Sequence, residues 1–244
     1  MPHKAGKKGI LMTVPSLTID IVSDVMCPWC YIGKRRLEAA LLDVSQEMDV
    51  EVRWRPYQLD PTLPKDGKDR QQYLDEKFGG PEGADQAYAA IRAAGVDEQI
   101  PFAFDKIPVS ANTIDAHRVI RWAGSEGLAA QDKMVETLFK AYFEEGKNIG
   151  DDAVLVEAAQ QVGLEPAVIE RLLSGDADRD AVNAEIDQAR QMGVTGVPCF
   201  IIDMKYALVG AQPAEALADA LRKVVIEKAK QEAEASEALD APEG

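Results

Sequence analysis

The stretch Asp24-Val25-Met26-Cys27-Pro28-Trp29-Cys30-Tyr31-Ile32-Gly33 decides how the chain is read. It lies between a short β-type run, Leu17-Thr18-Ile19-Asp20-Ile21-Val22, and a helical pattern beginning near Pro28. Proline suits the first turn of a helix, because its missing N–H would have found no partner there. Cys27 is therefore expected at a helix N-terminus, where free N–H groups and the helix dipole stabilise a thiolate, and it is expected to be exposed. Cys30 falls one turn further in, less accessible and close enough to attack a mixed disulfide on Cys27. The spacing makes Cys27 the candidate nucleophile and Cys30 the candidate resolving thiol.

A chain of 244 residues can bury a large core, as one domain or as one domain carrying an insertion. Its 42 acidic residues against 27 basic ones give a formal charge of −15. That balance argues against general binding to nucleic acid or to an anionic membrane. The three cysteines, Cys27, Cys30 and Cys199, are too few, and odd in number, for a secreted disulfide framework. Lys4, Lys7 and Lys8 precede only a short apolar run, broken by Thr13, Pro15 and Ser16, which lacks a signal-peptide core. No later run is long enough to span a bilayer. A cytoplasmic location is expected, and there a CxxC pair is catalytic, redox-sensing or metal-binding rather than a permanent staple.

Along the chain, residues 1–16 read as a loose leader, with Met12 as an alternative start. Ile32, Leu37, Ala40, Leu41 and Val44 form a helical stripe, and Val50–Tyr57 alternates as a strand that Pro56 ends. Two parallel strands joined by a helix need a right-handed crossover. Residues 61–84 are polar and punctuated by proline and glycine, with room for a short helix at Tyr73, Leu74 and Phe78; a second loop surrounds Pro101–Pro108. Helices then dominate. One starts near Asn112, Val135, Leu138, Phe139 and Tyr142 mark a buried face of the next, and others cover Ala153–Val162, Pro166–Leu173 and Arg179–Met192. Cys199–Ile202 and Tyr206–Val209 read as a hairpin, and a last helix buries Leu217, Leu221, Val224 and Val225. Beyond Glu227 the composition fits a frayed helical extension or a disordered tail.

The order β-α-β, long helical insertion, β-β-α, with CxxC after the first strand and Gly-Val-Pro before the third, resembles a thioredoxin fold of the DsbA-like branch. Ser23-Asp24, Cys27 to Lys34, Ser110-Ala111-Asn112-Thr113, Ala116-His117-Arg118 and Gly193 to Pro198 are similar to the cytoplasmic FrnE-like members, relatives of the 2-hydroxychromene-2-carboxylate isomerases. The resemblance covers residues 17–228. It implies an α/β thioredoxin fold in two parts, 17–64 and 190–228, around an all-helical insertion at 65–189, with an acidic tail over 229–244.

The resemblance also implies a cis peptide at Val197-Pro198, with Val197 presenting its backbone to an extended substrate. Pro28 and Trp29 complete the expected substrate-binding residues. Asp24 and His117 are candidates for proton transfer or substrate orientation, set against capping or plain structural roles; Asn112 reads equally well as a helix cap. His3 sits in the leader. Cys199 reads as a buried small apolar residue. The expected activity is thiol–disulfide oxidoreductase, with disulfide isomerase as a second role, on protein or small-molecule disulfides. No metal or organic cofactor is required, and glutathione or a thioredoxin-type donor would reset the pair. Two alternatives remain. One is a glutathione-dependent isomerase or kappa-class transferase, which typically carries serine at the position of Cys27. The other is a metal-responsive thiol binder, for which further ligands are missing.

Overall fold

The computed structural model describes residues 14–240, so most of the expected leader, with His3 and Met12, lies outside the described residues. Strand β1 (Ser16–Ser23) runs into helix α1 (Pro28–Val44), which returns the chain to β2 (Asp49–Pro56). The insertion follows: β3 (Lys68–Asp69), α2 (Arg70–Phe78), α3 (Pro81–Asp97), a single 3-10 turn at Phe104–Lys106, then β4 (Val109–Ser110). It continues with α4 (Ile114–Ser125), α5 (Leu128–Phe143), α6 (Asp152–Gln161), α7 (Pro166–Leu173) and α8 (Arg179–Gln191). The chain closes with β5 (Cys199–Ile202), β6 (Tyr206–Val209) and α9 (Ala214–Asp240).

The main sheet has the order β2-β1-β5-β6. β1 pairs parallel to β2 from Ser16↔Asp49 to Ser23↔Pro56 and antiparallel to β5, with Val22 opposite Cys199. Period-2 alternation then divides the side chains between two faces. Ile19, Ile21, Phe200 and Ile202 join the main core with Leu37 and Ala40 of α1 and Leu217 and Leu221 of α9. Val22, Cys199 and Ile201 pack on the other face with Ala189 of α8. Cys199 is accordingly a buried free cysteine in a strand, and burial raises its thiol pKa.

The insertion is not all helical, because β3 and β4 form a two-stranded antiparallel sheet, Lys68↔Ser110 and Asp69↔Val109. The punctuated segment also holds more helix than its composition suggests. Asp69 caps α2 through Gln72 N (2.9 Å), Gly79 ends it in a left-handed turn at φ 78°, and Pro81 opens α3 at the first-turn position proline favours. The tail beyond residue 228 is the continuation of α9 to Asp240.

Helix α5 docks on α1 through Tyr31 and Phe139, whose rings stack at 4.9 Å. Beside them, Lys34 is 3% exposed and meets Glu38, Asp132 (3.2 Å) and Glu136 (3.4 Å), while Arg35 also pairs with Glu136. Burial alone would raise the Glu136 carboxyl, but the Arg35 hydrogen bond and the Lys34 and Arg35 charges hold it below the usual 4.5. A depressed native pKa stabilises the fold above the unfolded value, and that contribution is lost as pH falls through the native one. Glu136→Gln is therefore expected to lower stability at neutral pH by about 2 kcal/mol and to flatten its fall in acid. Urea titrations at pH 7 and pH 4 check this, and an unchanged difference between the two pH values would contradict it.

Candidate active site

The register of the sheet builds the site. Because Val22 faces Cys199, the Gly193–Pro198 approach to β5 must pass the end of β1, where the chain turns into Cys27. Cys27 is the N-cap of α1, in extended conformation, with Pro28 in the first turn. Its Sγ lies 3.7 Å from the Val197 carbonyl oxygen, and the Val197-Pro198 peptide is cis. The structure thus brings Cys27, Cys30, Val197 and Pro198 together, with Pro28 buried and Trp29 half-buried at the same helix end.

Gly33 makes this closure sterically feasible. A Cβ there would stand 2.8 Å from Pro198 Cγ and 3.3 Å from Phe200 Cζ. Gly33→Ala should cost about 1–3 kcal/mol through overpacking and push the Val197-Pro198 segment off the helix. The expected readouts are a lower urea midpoint and faster alkylation of Cys27 by iodoacetamide; unchanged alkylation would mean that Phe200 alone yields.

One expectation is corrected. Cys27 is only 4% exposed, not an open thiolate. It belongs to the main core, which also takes in Leu63 of the β2–β3 connection and Tyr73 and Tyr88 of the insertion. Burial raises the phenols of Tyr73, to about 12, and of Tyr88. Tyr88 and Tyr142 share hydroxyl contacts with buried Arg70, which also donates to Ser110 Oγ (3.2 Å). None of Arg70, Tyr73 and Tyr88 stands out in the sequence as a buried residue, since their burial depends on the insertion's packing.

Cys30 is 1% exposed. Burial raises its thiol well above the usual value, and the hydrogen bond and charge of Cys27 add to this; the Ser23 hydroxyl and the Asp24 backbone amide oppose it. The pair is thus asymmetric. Cys27 sits at a helix end beside a carbonyl, while Cys30 holds its proton until something draws it off.

Asp24 and His117 do meet, but each is engaged structurally. Asp24 Oδ1 accepts from Met26 N (3.3 Å) and Oδ2 from Leu59 N (2.8 Å). His117 Nε2 lies 2.8 Å from the Tyr57 carbonyl oxygen and 3.6 Å from Asp24 Oδ1. A carbonyl accepts only, so Nε2 carries the proton and Nδ1 is left as an acceptor in the neutral ring. Asn112 Oδ1 accepts from Ile114 N (3.1 Å) at the start of α4 and from Gln58 Nε2 (3.1 Å). Among the described residues, no group of three or more His, Cys, Asp or Glu is arranged to hold a metal ion, and no helix is long and apolar enough to cross a membrane.

A parallel β1–β2 pair, an antiparallel β5–β6 hairpin and two thiols at the first helix facing a cis proline define a thioredoxin-like thiol protein. Residues 18–222 match the model of the DSBA-like thioredoxin domain, and the chain belongs to that family. A probable DsbA oxidoreductase from Streptomyces coelicolor is 32% identical, with a TM-score of 0.78 over 85% of this chain and 89% of its own. The fold is shared with a 2-hydroxychromene-2-carboxylate isomerase (16% identity, TM-score 0.65, 88% of this chain and 98% of that one). It is also shared with DsbM, a cytosolic disulfide reductase from Pseudomonas aeruginosa solved with GSH (20% identity, TM-score 0.53, 84% and 99%).

Proposed function

We propose that the protein is a thiol–disulfide oxidoreductase that works through Cys27 and Cys30 in the reducing cytoplasm. The observation that carries this is the Cys27 thiol at the start of α1, 3.7 Å from the Val197 carbonyl, with Cys30 one turn behind it. In the reductive direction the Cys27 thiolate attacks one sulfur of a substrate disulfide, expelling the other as a thiolate. The Cys30 thiolate then attacks Cys27 Sγ, forming the Cys27–Cys30 disulfide and releasing the second substrate sulfur. The Val197 backbone is suited to pair with an extended substrate segment, in the manner of strand addition. The half-buried Trp29 offers an apolar contact for that segment, and glutathione or a dithiol donor resets the pair. The reaction needs neither a metal nor an organic cofactor. A reversal of the same steps would serve oxidation, and release of Cys27 by a different substrate thiol, with no net redox change, would serve isomerisation.

Equilibration in defined glutathione buffers, followed by mass analysis of alkylated thiols, tests the reading. A single reversible two-electron transition linking Cys27 to Cys30 is expected, and its midpoint sets the preferred direction. Failure of that disulfide to form at any buffer ratio would defeat the proposal and favour glutathione-dependent isomerisation instead.

A further inference from the structure

A buried charge needs a counter-charge, because little solvent is left to screen it. Arg70, the first residue of α2, is only 6% exposed. Its guanidinium donates to neutral hydroxyls, those of Ser110 (3.2 Å), Tyr142 (3.3 Å) and Tyr88, and its Nε, also buried, has no partner. Among the described residues it pairs with no carboxylate. Arg36, Arg55, Arg118, Arg179 and Arg222 each do. In a chain with 42 acidic residues, a buried arginine left without one calls for a reason.

Arg70 lines a cleft of about 460 Å³ between the start of α2, helix α3 and the 104–108 connection. Tyr88 and the exposed Arg92 line it too. The Arg70 and Arg92 guanidinium carbons lie 5.7 Å and 5.9 Å from the centre of the Tyr88 ring, and that of Arg92 lies 5.9 Å from the Phe104 ring centre. Among the described residues Arg92 likewise meets no carboxylate, so one aromatic ring gathers two unpaired cations. Leu74, Phe104 and Ile107 add apolar wall. Three aspartates also belong to the lining: Asp69, whose Oδ1 caps α2 by accepting from Gln72 N (2.9 Å), and the exposed Asp85 and Asp105. None of the three forms an ion pair with either guanidinium. Cys27, Cys30, Val197 and Pro198 do not line this cleft, which makes it separate from the redox pair.

We propose that this cleft of the insertion is a binding site for a small monocarboxylate with an apolar body. The carboxylate supplies the counter-charge that Arg70 and Arg92 lack, and in surroundings this poor in solvent a single charge-assisted contact counts for more than at an open surface. The body lies against Leu74, Phe104 and Ile107, in the usual pattern of a ligand pocket with apolar walls and few polar anchors. The aspartates set the limit of one charge, since a second anionic group on the ligand would meet them. The site does not depend on the thiol–disulfide reading and would operate whatever Cys27 and Cys30 do.

Titration of the isotope-labelled full-length protein with sodium hexanoate, followed by NMR of the arginine Nε–H groups, tests the site. Saturable shifts of the Arg70 and Arg92 signals are expected, the larger at Arg70, whose Nε lacks an acceptor. Hexanamide, which has the same body without the charge, and adipate, which carries a second carboxylate, should each bind at least about tenfold more weakly. Arg70→Gln should weaken hexanoate by about tenfold or more. Arg92→Gln, a change at an exposed residue that leaves the core untouched, should weaken it severalfold and keeps the test decisive if Arg70→Gln disturbs the insertion. Hexanamide or adipate binding as tightly as hexanoate overturns the proposal. So does the absence of a saturable shift at either arginine, or a hexanoate affinity that Arg92→Gln leaves unchanged.

Discussion

Cys30→Ser will accumulate a mixed disulfide on Cys27 and lose turnover by at least about 100-fold at millimolar glutathione, because a positioned intramolecular thiol is replaced by one from bulk solution. The geometry leaves no substitute inside the chain. Cys199, the remaining cysteine, is held in β5 opposite Val22, in a separate hydrophobic cluster from the Cys27–Cys30 pair. Residual turnover should therefore rise in proportion to glutathione, since only a second glutathione can release the adduct. Cys27→Ser should form no adduct and exchange no disulfides, although Cys30 remains. Intact-mass analysis after incubation with oxidised glutathione distinguishes the two variants. An adduct on Cys30 in Cys27→Ser, formed at the parent's rate, would reverse the assignment of attacking and resolving thiols.

The second large effect lies away from the chemistry. Arg118 is fully buried in α4, donating from Nε to the Ala177 carbonyl (2.6 Å) and from Nη2 to those of Leu172 (2.6 Å) and Gly175 (2.7 Å). Its Nη1 donates to Asp115 Oδ1 at 2.7 Å, and its guanidinium lies 5.1 Å from the Trp122 ring centre. One side chain thus serves three carbonyls, one near the end of α7 and two in the α7–α8 connection. Arg118→Met preserves the aliphatic stem but strips those acceptors of their donor, at a cost of about 3–5 kcal/mol and a melting temperature roughly 10 °C lower. Arg118→Lys should recover little, because one ammonium cannot span donors that a planar fork supplies. Calorimetry settles the magnitude; a loss below about 1 kcal/mol would mean that water replaces the guanidinium among these carbonyls.

Much of this organisation is legible in the sequence because the signals are local. Cys27-Pro28-Trp29-Cys30 after an apolar strand reports a helix start, and the apolar stripes of α5 and α9 report their buried faces. What escapes is non-local. Gly79, Pro81 and Gly83 read as loop punctuation, yet they cap α2, open α3 and let α3 pack within it, where a Cβ at Gly83 would collide with the Phe78 carbonyl oxygen. Strands of two residues, β3 and β4, show no periodicity to detect. The burial of Cys27, Tyr73 and Tyr88 likewise follows from tertiary packing that no local sequence pattern reports. Asn112 as the amide acceptor at the start of α4 was available from helix-capping chemistry, whereas the demand on Arg118 by three carbonyls was not.

The contact between Cys27 and Val197 spans 170 positions of the chain. At ribosomal speeds of about 5–20 residues per second, the reactive pair leaves the ribosome roughly 10–30 s before the segment that will face it exists. Throughout that interval β1 also lacks its partner β5, so neither the strand nor the thiols have their native neighbours. Cys199 follows within two residues of Val197, which means the nascent chain acquires its third thiol only as the fold becomes able to bury it. The inserted helices thus impose a delay on biosynthesis, during which the reactive pair lies without the neighbours that bury it in the finished fold.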